Sequence, residues 1–285
     1  MRRIARIGKV EVGEGHAVAI LGIINVSPES FHKASVRTDP REISETASRM
    51  VEEGVDVIDI GGASSAPYLD AEVPEDTEAA RVRVAIKAVR DAVDVPVSLD
   101  TSRVKPALEG LKLGVDAIND VRGLAHLSEV LKEIADSGVS LILMARDVRE
   151  GDVISGIKSQ LRQIMSRALS VGIDEKRIVL DPGVGFHRNH SSAKWYQLDV
   201  EILKRLDEMR DLGRPLLVGA SMKGFIGKLT GRQVTDERVF GSIASEVVAV
   251  MNGADLIRTH NVRSTLDAIR IASAVIGRPA KPLRV

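Results

Sequence analysis

Eight short apolar runs, separated by longer amphipathic stretches, recur along the whole chain. They are AVAILGI (17–23), VDVIDI (55–60), VPVSLD (95–100), VDAIND (115–120), VSLILM (139–144), RIVLD (177–181), RPLLVGA (214–220) and ADLIRT (254–259). Most are continuous in Val, Ile and Leu, without alternating polar residues. Strands buried on both faces of a parallel sheet read this way. The segments between them carry helical spacing. Over 41–53, Ile43, Ala47, Met50 and Val51 share one face, and 77–93 and 198–212 behave alike. Asp39 followed by Pro40 is a helix start. Gly54, Gly114, Gly138, Gly172, Gly213 and Gly253 each fall just before a run. Glycine there ends a helix in the left-handed conformation and turns the chain into the next strand. This pattern predicts an α/β fold, a (β/α)8 TIM barrel in one domain over residues 1–285. A doubly wound open sheet is the rival, and the unbroken run of eight units favours the barrel.

Charge and residue usage narrow the function classes. The chain has 285 residues, with 40 basic and 40 acidic side chains and a formal net charge of zero. That balance excludes a general nucleic-acid or membrane-surface binder but leaves room for a local cationic pocket. There are no cysteines, so disulfides, cysteine-based zinc sites and a cysteine nucleophile are excluded. The N-terminal stretch has arginines but no apolar segment of the secretory kind, and no run approaches a membrane span. A cytoplasmic enzyme is the expectation.

A barrel of this kind places its chemistry at the C-terminal ends of its strands. Those ends carry, in order, Asn25; Asp59 with Gly61, Gly62, Ser64 and Ser65; Asp100 and Thr101; Asn119 and Asp120; Met144, Arg146 and Asp147; Asp181 before Pro-Gly-Val-Gly-Phe; Ser221 and Lys223; and Arg258, His260 and Asn261. One polar strand end is usually a helix cap, and DPG is also turn chemistry. Eight such ends in one ring are a site. Asp100, Asp181 and Asn119 can read the donor edge of a flat heterocycle. Lys223, Arg258 and His260 can hold an anion, and Asn25 is a neutral ligand for a metal or a phosphate. Asp59 reads as a structural residue holding its loop. His187 and His190 share a loop with Trp195 and Tyr196, which reads as surface or interface in preference to a metal site.

The same residues resemble a known family. LGIINVSPESF (21–31), DIGGASSAP (59–67), VSLDT (97–101), AINDVRG (117–123), LDPGVGF (180–186), SMKGFIG (221–227) and IRTHNV (257–262) are similar, in order, to the motifs of dihydropteroate synthase and the wider pterin-binding barrel family. The ESF and SAPY residues and Trp195-Tyr196 look like an archaeal-type branch. The resemblance implies a transferase of folate biosynthesis that joins an aryl amine to a pterin diphosphate. It implies that Asp100, Asn119, Met144, Asp181, Lys223 and Arg258 bind the pterin. Asn25, Ser65, Arg258 and His260 would hold the diphosphate, with Asn25 on a Mg2+ ion. Ser27, Phe31, Pro67 and Ser221 would form the aryl-amine pocket, and Lys223, Arg258 and His260 would serve catalysis. Its partners would be small molecules and a second copy of the chain, a homodimer formed through the last helices, with no nucleic acid and no membrane.

The chain departs from the family pattern at several places. Ala63 and Ala66 stand where the second motif usually has glutamate and arginine. Met222 and Gly224 stand where the seventh-strand motif has arginine and serine, and Asn261 replaces an aspartate. These losses gather in the anion and aryl-amine region, where Arg37, Arg146 or Arg188 could replace a lost cation. Two alternatives follow: a pterin-dependent methyltransferase, which shares the barrel and the aspartates, and a non-catalytic pterin-binding paralogue. The ESF motif and Lys223 favour the synthase.

Overall fold

Successive side chains of a strand point to opposite faces, so residues two apart share a face, and this spacing builds the interior of the molecule. The computed structural model describes residues 2–29, 35–64 and 73–282. A hairpin of β1 (Ile4–Ile7) and β2 (Val10–Gly13) comes first. Every apolar run then becomes a strand: β3 (Ala19–Asn25), β4 (Val57–Gly61), β5 (Val97–Asp100), β6 (Ala117–Asp120), β7 (Ser140–Met144), β8 (Ile178–Asp181), β9 (Leu217–Val218) and β10 (Leu256–Thr259). Neighbours from β3 to β8 pair in parallel in chain order, and β10 lies between β9 and β3. A bridge from Leu180 to Leu216 joins β8 to β9 and closes the ring. The barrel expected from the sequence is the one observed.

The helices that cover the ring are α1 (Pro40–Glu53), α2 (Glu75–Ala92), α3 (Val104–Lys112), α4 (Leu131–Ser137), α5 (Val153–Ser170), α6 (Trp195–Lys204), α7 (Gly224–Thr230), α8 (Val239–Met251) and α9 (Val262–Val275). Ile24, Ile58, Leu99, Ile118, Leu141, Leu180 and Ile257 face them in the main core. All six glycines that precede a run have positive φ, as the helix-to-strand turn requires. The helix expected over 198–212 differs. It starts at Trp195, stops at Lys204, and a 3-10 turn over Leu206–Leu212 completes the path. The break falls at Arg205, whose side chain is held by Asp152, 2.6 Å away, and by Glu208, 2.7 Å away.

The inner face of the barrel floor is a second apolar cluster. Leu21, Val57, Ala117, Ile142, Val179, Leu217 and Leu256 meet there, and Ala5, Ile7 and Val12 of the hairpin pack onto them. The hairpin therefore plugs the N-terminal end. Its strands of four residues, with Arg6 and Glu11 pointing outward, were too short and too charged to read as core from sequence. Asp39 caps α1 by accepting from the Arg41 backbone N–H at 2.8 Å. Asp39→Ala is expected to lower stability by about 1 kcal/mol in urea denaturation, with activity unchanged.

Candidate active site

Two residues beyond the apolar floor, the same alternation brings the next inward layer: Ile23, Asp59, Asp100, Asn119, Met144, Asp181, Gly219 and Arg258. Two further on come Asn25, Ser221 and His260. The step from Leu21, Val57, Ala117 and Val179 to Asn25, Asp59, Asn119 and Asp181 is thus a step from dry core to mouth on unbroken strands. Most of these residues line one open cavity of about 860 Å³ at the C-terminal end of the barrel, with Val184, Phe186, Arg188, Lys223 and Gly224 on its wall.

The base of the mouth is charged and buried. Arg258 donates from Nε to Asp59 Oδ2 at 2.7 Å and from Nη2 to Asp100 Oδ2 at 2.8 Å. Gly219 packs beside Arg258, and a Cβ there would make ordinary contact with the arginine Cβ at 3.6 Å. Asn119 Nδ2 donates to Asp59 Oδ2 at 3.3 Å. Its carbonyl, Oδ1, is buried with no partner among the described residues, as is Asp59 Oδ1. Asp181 uses Oδ1 to accept the Gly183 N–H at 2.7 Å. Burial pushes the Asp100 carboxyl up to about 7 against the opposing charge of Arg258. Burial pushes Asp181 up to about 6 against the Gly183 hydrogen bond. Burial, with Arg258 beside it, brings Lys223 down to about 8. Burial works against the Arg258 charge too, but Asp59 and Asp100 outweigh it and raise its pKa.

Lys223 is positioned by the loop after β8. Its Nζ stands 4.2 Å from the centre of the Phe186 ring. Gly185 has φ +86°, and a Cβ there would meet Lys223 Cδ at 2.9 Å, so the DPGVGF turn makes room for the lysine. Above it, His260 is held at both ring nitrogens, by Ser221 Oγ at 3.0 Å from Nδ1 and by Asn25 Nδ2 at 3.4 Å from Nε2. Met144 is buried with Val121 and Phe186 as a small apolar wall of the mouth.

The structure brings together Asn25, Asp100, Asn119, Met144, Asp181, Ser221, Lys223, Arg258 and His260. Ser65, Phe31 and Pro67, and with them Ala66, lie outside the described residues. Ser27 is placed differently from the aryl-amine role expected of it. It is buried, and its hydroxyl donates to Glu29 Oε2 at 2.6 Å. Ser221 faces the mouth but spends its hydroxyl on His260. Met222 departs in another way. At φ +60° its side chain is buried against Ser242 under α8, so the arginine-to-methionine change is not a loss within the cavity.

Three residues of the site region were undervalued by sequence reasoning. Asp59, read as structural, is the joint partner of Arg258 and Asn119, a role that the sequence does not signal. Glu29 accepts from Arg81 at 2.9 and 3.1 Å, and Arg81 also reaches Gly62 O at 3.3 Å, so the loop after β3 is tied to the loop after β4. The arginine hydrogen bond takes the Glu29 carboxyl down to about 2. Asp199 of α6 accepts the Gly185 N–H at 2.6 Å and holds the DPGVGF turn from behind. The loop histidines are structural. His187 is buried between Val148 N and Pro182 O, and among the described residues no group of three or more acidic, histidine or cysteine side chains could hold a metal.

This is a barrel-enzyme mouth in which buried acceptors share the lower inward layer with Arg258, His260 stands one layer further out, and Lys223 and Arg188 stand on the wall. Comparison with known proteins gives that description a family. Residues 21–260 match the family model described as pterin binding enzyme. The dihydropteroate synthase of Clostridium beijerinckii is 32% identical over 96% of this chain and 100% of that protein. A probable bifunctional folylpolyglutamate synthase/dihydropteroate synthase of Haloferax volcanii is 35% identical over 90% of this chain and 30% of that longer protein. The solved structure of Xanthomonas albilineans dihydropteroate synthase with 4-aminobenzoic acid superposes with a TM-score of 0.86, at 32% identity, over 98% of this chain and 100% of that one.

The chain belongs to the pterin-binding enzyme family and, within it, to the dihydropteroate synthases. It is a transferase of that type. Identity carried over nearly the whole length decides for the synthase over methyl transfer and over a non-catalytic paralogue. No helix among the described residues is long and apolar enough to cross a membrane.

Proposed function

We propose that this chain joins p-aminobenzoate, or a closely related aryl amine, to the methylene carbon of 6-hydroxymethyl-7,8-dihydropterin diphosphate, a step of folate biosynthesis. The amine nitrogen bonds to the carbon, the carbon–oxygen bond to diphosphate breaks, and the amine gives up one proton. The observation that carries this reading is the gathering of buried acceptors and of Lys223, Arg258 and His260 around one mouth. Asp181 and Asn119 Oδ1 accept from the ring's amino and ring N–H groups, and Lys223 donates to its oxygen. Asp100 stands beside them on Arg258. As diphosphate departs, charge develops on it and the pterin is left electron-poor. Arg258 and His260 stabilise the first, and the low-lying carboxylates stabilise the second, in a site where water screens little.

Among the described residues, Asn25 is the one that fits Mg2+ in the mouth. Asn25 turns its Nδ2 to His260 and has one neutral oxygen to offer, and Mg2+ takes few protein ligands when phosphates supply the rest. Asn25 would hold an ion that arrives with the diphosphate. There it would neutralise the leaving group. Calorimetry is expected to show no Mg2+ binding to the free protein, and Mg2+-dependent affinity for the pterin diphosphate but not for the pterin alcohol. Tight binding of Mg2+ alone would sink this assignment.

A homodimer is also proposed, supported by exposed apolar side chains on α8 and α9. Phe240 is 86% exposed, Ile271 69% and Val275 71%, with Val248 and Met251 nearby on α8. Large apolar side chains left exposed along two neighbouring helices suit an interface. Phe240→Asp is expected to turn a dimer into a monomer by light scattering, and an unchanged mass would refute the assigned face. A cytoplasmic location goes with the proposal, because both substrates are charged metabolites.

The direct test is release of diphosphate by the purified protein. It should require both the dihydropterin diphosphate and p-aminobenzoate. Tight pterin binding with no release in the presence of both substrates would overturn the reading.

A further inference from the structure

The aryl-amine side of the mouth lacks the serine that the family carries after its lysine; Gly224 stands there instead. Two side chains border that space. A Cβ on Gly224 would meet Trp195 Cη2 at 3.4 Å and Arg188 Nη2 at 3.5 Å. The two side chains form a unit. The Arg188 guanidinium lies over the Trp195 ring, 3.9 Å from its centre, and its Nε donates to Gly185 O at 3.1 Å. Stacking and this hydrogen bond fix the plane of the guanidinium, which costs a flexible arginine less when it takes up a carboxylate.

Of the three arginines that could replace a lost cation, only Arg188 lines the cavity. Arg37 turns its Nη1 to Val36 O. Arg146 lies behind the Phe186 ring with Nη1 toward Val121 O, and burial works against its charge. The neighbouring carboxylate, Asp199, is buried and gives its Oδ1 to the Gly185 N–H.

We propose that Arg188, clamped on Trp195, recognises the acid group of the acceptor amine and so sets the specificity for an aryl amine bearing a carboxylate. This rests on the transferase reading above. The ring of the acceptor would lie along Phe186 and Gly224, with its amine toward the pterin and its carboxylate on the Arg188 fork. Gly224 leaves the face of the pair open toward the mouth, with a Cβ there only in ordinary contact with it.

The test compares p-aminobenzoate with its neutral isostere p-aminobenzamide, as substrate or as competitor. Arg188→Ala should raise KM for p-aminobenzoate about ten- to a hundredfold, the range for a lost hydrogen bond to a charged group, and should leave the constant for the amide within about twofold. Affinity for the pterin diphosphate should not change, which also reports that the variant is folded. Arg188→Lys should restore part of the preference, and Trp195→Leu should weaken it in the same direction. An equal effect on both acceptors, or none on either, overturns the proposal while wild-type turnover still upholds the transferase. Failure of the wild type to use either acceptor overturns both.

Discussion

Replacing Arg258 with methionine is expected to cost about 3–5 kcal/mol at pH 8, as is typical when one member of a buried ion pair is removed. Among the described residues Arg258 is the only cation bonded to Asp59 and Asp100, and Asp59 is wholly buried. The sign of the pH dependence follows from Asp100. Its folded pKa is raised to about 7 by burial, even though Arg258 holds it down. A carboxyl with a raised folded pKa contributes stability at low pH and loses it as pH rises through the folded value. Without Arg258 that value rises further, so the loss continues to higher pH. The deficit of the variant should therefore widen above about pH 7. Urea denaturation at pH 6 and pH 8.5 measures it, and a deficit that does not change with pH would refute the account. Activity should be lost at both values.

The strand ends were legible because a parallel barrel imposes one rule on every unit: an apolar run, then a polar residue at its C-terminal end. That rule found Asp100, Asn119, Asp181 and Arg258 from position alone. It did not rank Asp59, because a run with both faces buried hides which alternate residues point inward. Only the register shows that Val57 lies in the floor cluster and Asp59 one layer above it. Met222 misled for a related reason. A residue two past a strand end reads as part of the mouth, yet positive φ turned it under α8. The Arg188–Trp195 pair was legible as composition but not as a site, because its partners come from three elements: the loop after β8, the start of α6 and Gly224 at the start of α7. The hairpin plug was silent because it is too short to show a period.

Asp181→Asn is expected to separate function from stability. The carboxylate would accept two hydrogen bonds from the pterin, each worth about 1.5–3 kcal/mol when one partner is charged, so affinity should fall by a hundredfold or more, on the order of a few kcal/mol. The amide keeps an oxygen for the Gly183 N–H, so the loop should stand. Stability should move the other way. The folded pKa of Asp181 is raised to about 6 by burial, so its favourable contribution is present below the ordinary carboxylate range and is lost as pH rises through about 6. Asparagine escapes that loss, and above pH 6 the variant should melt higher than the wild type. The same titration predicts how the wild type binds. Pterin donors favour the ionised carboxyl, so affinity should fall as pH drops below about 6, and this dependence should vanish in the variant. Calorimetry with the pterin and thermal melts from pH 5 to pH 8 give both readings on one sample. A purely structural carboxylate would give a lower melting temperature with unchanged affinity. Weaker binding together with a higher melting temperature is the signature of a charge kept buried for its ligand, at the expense of the fold that holds it.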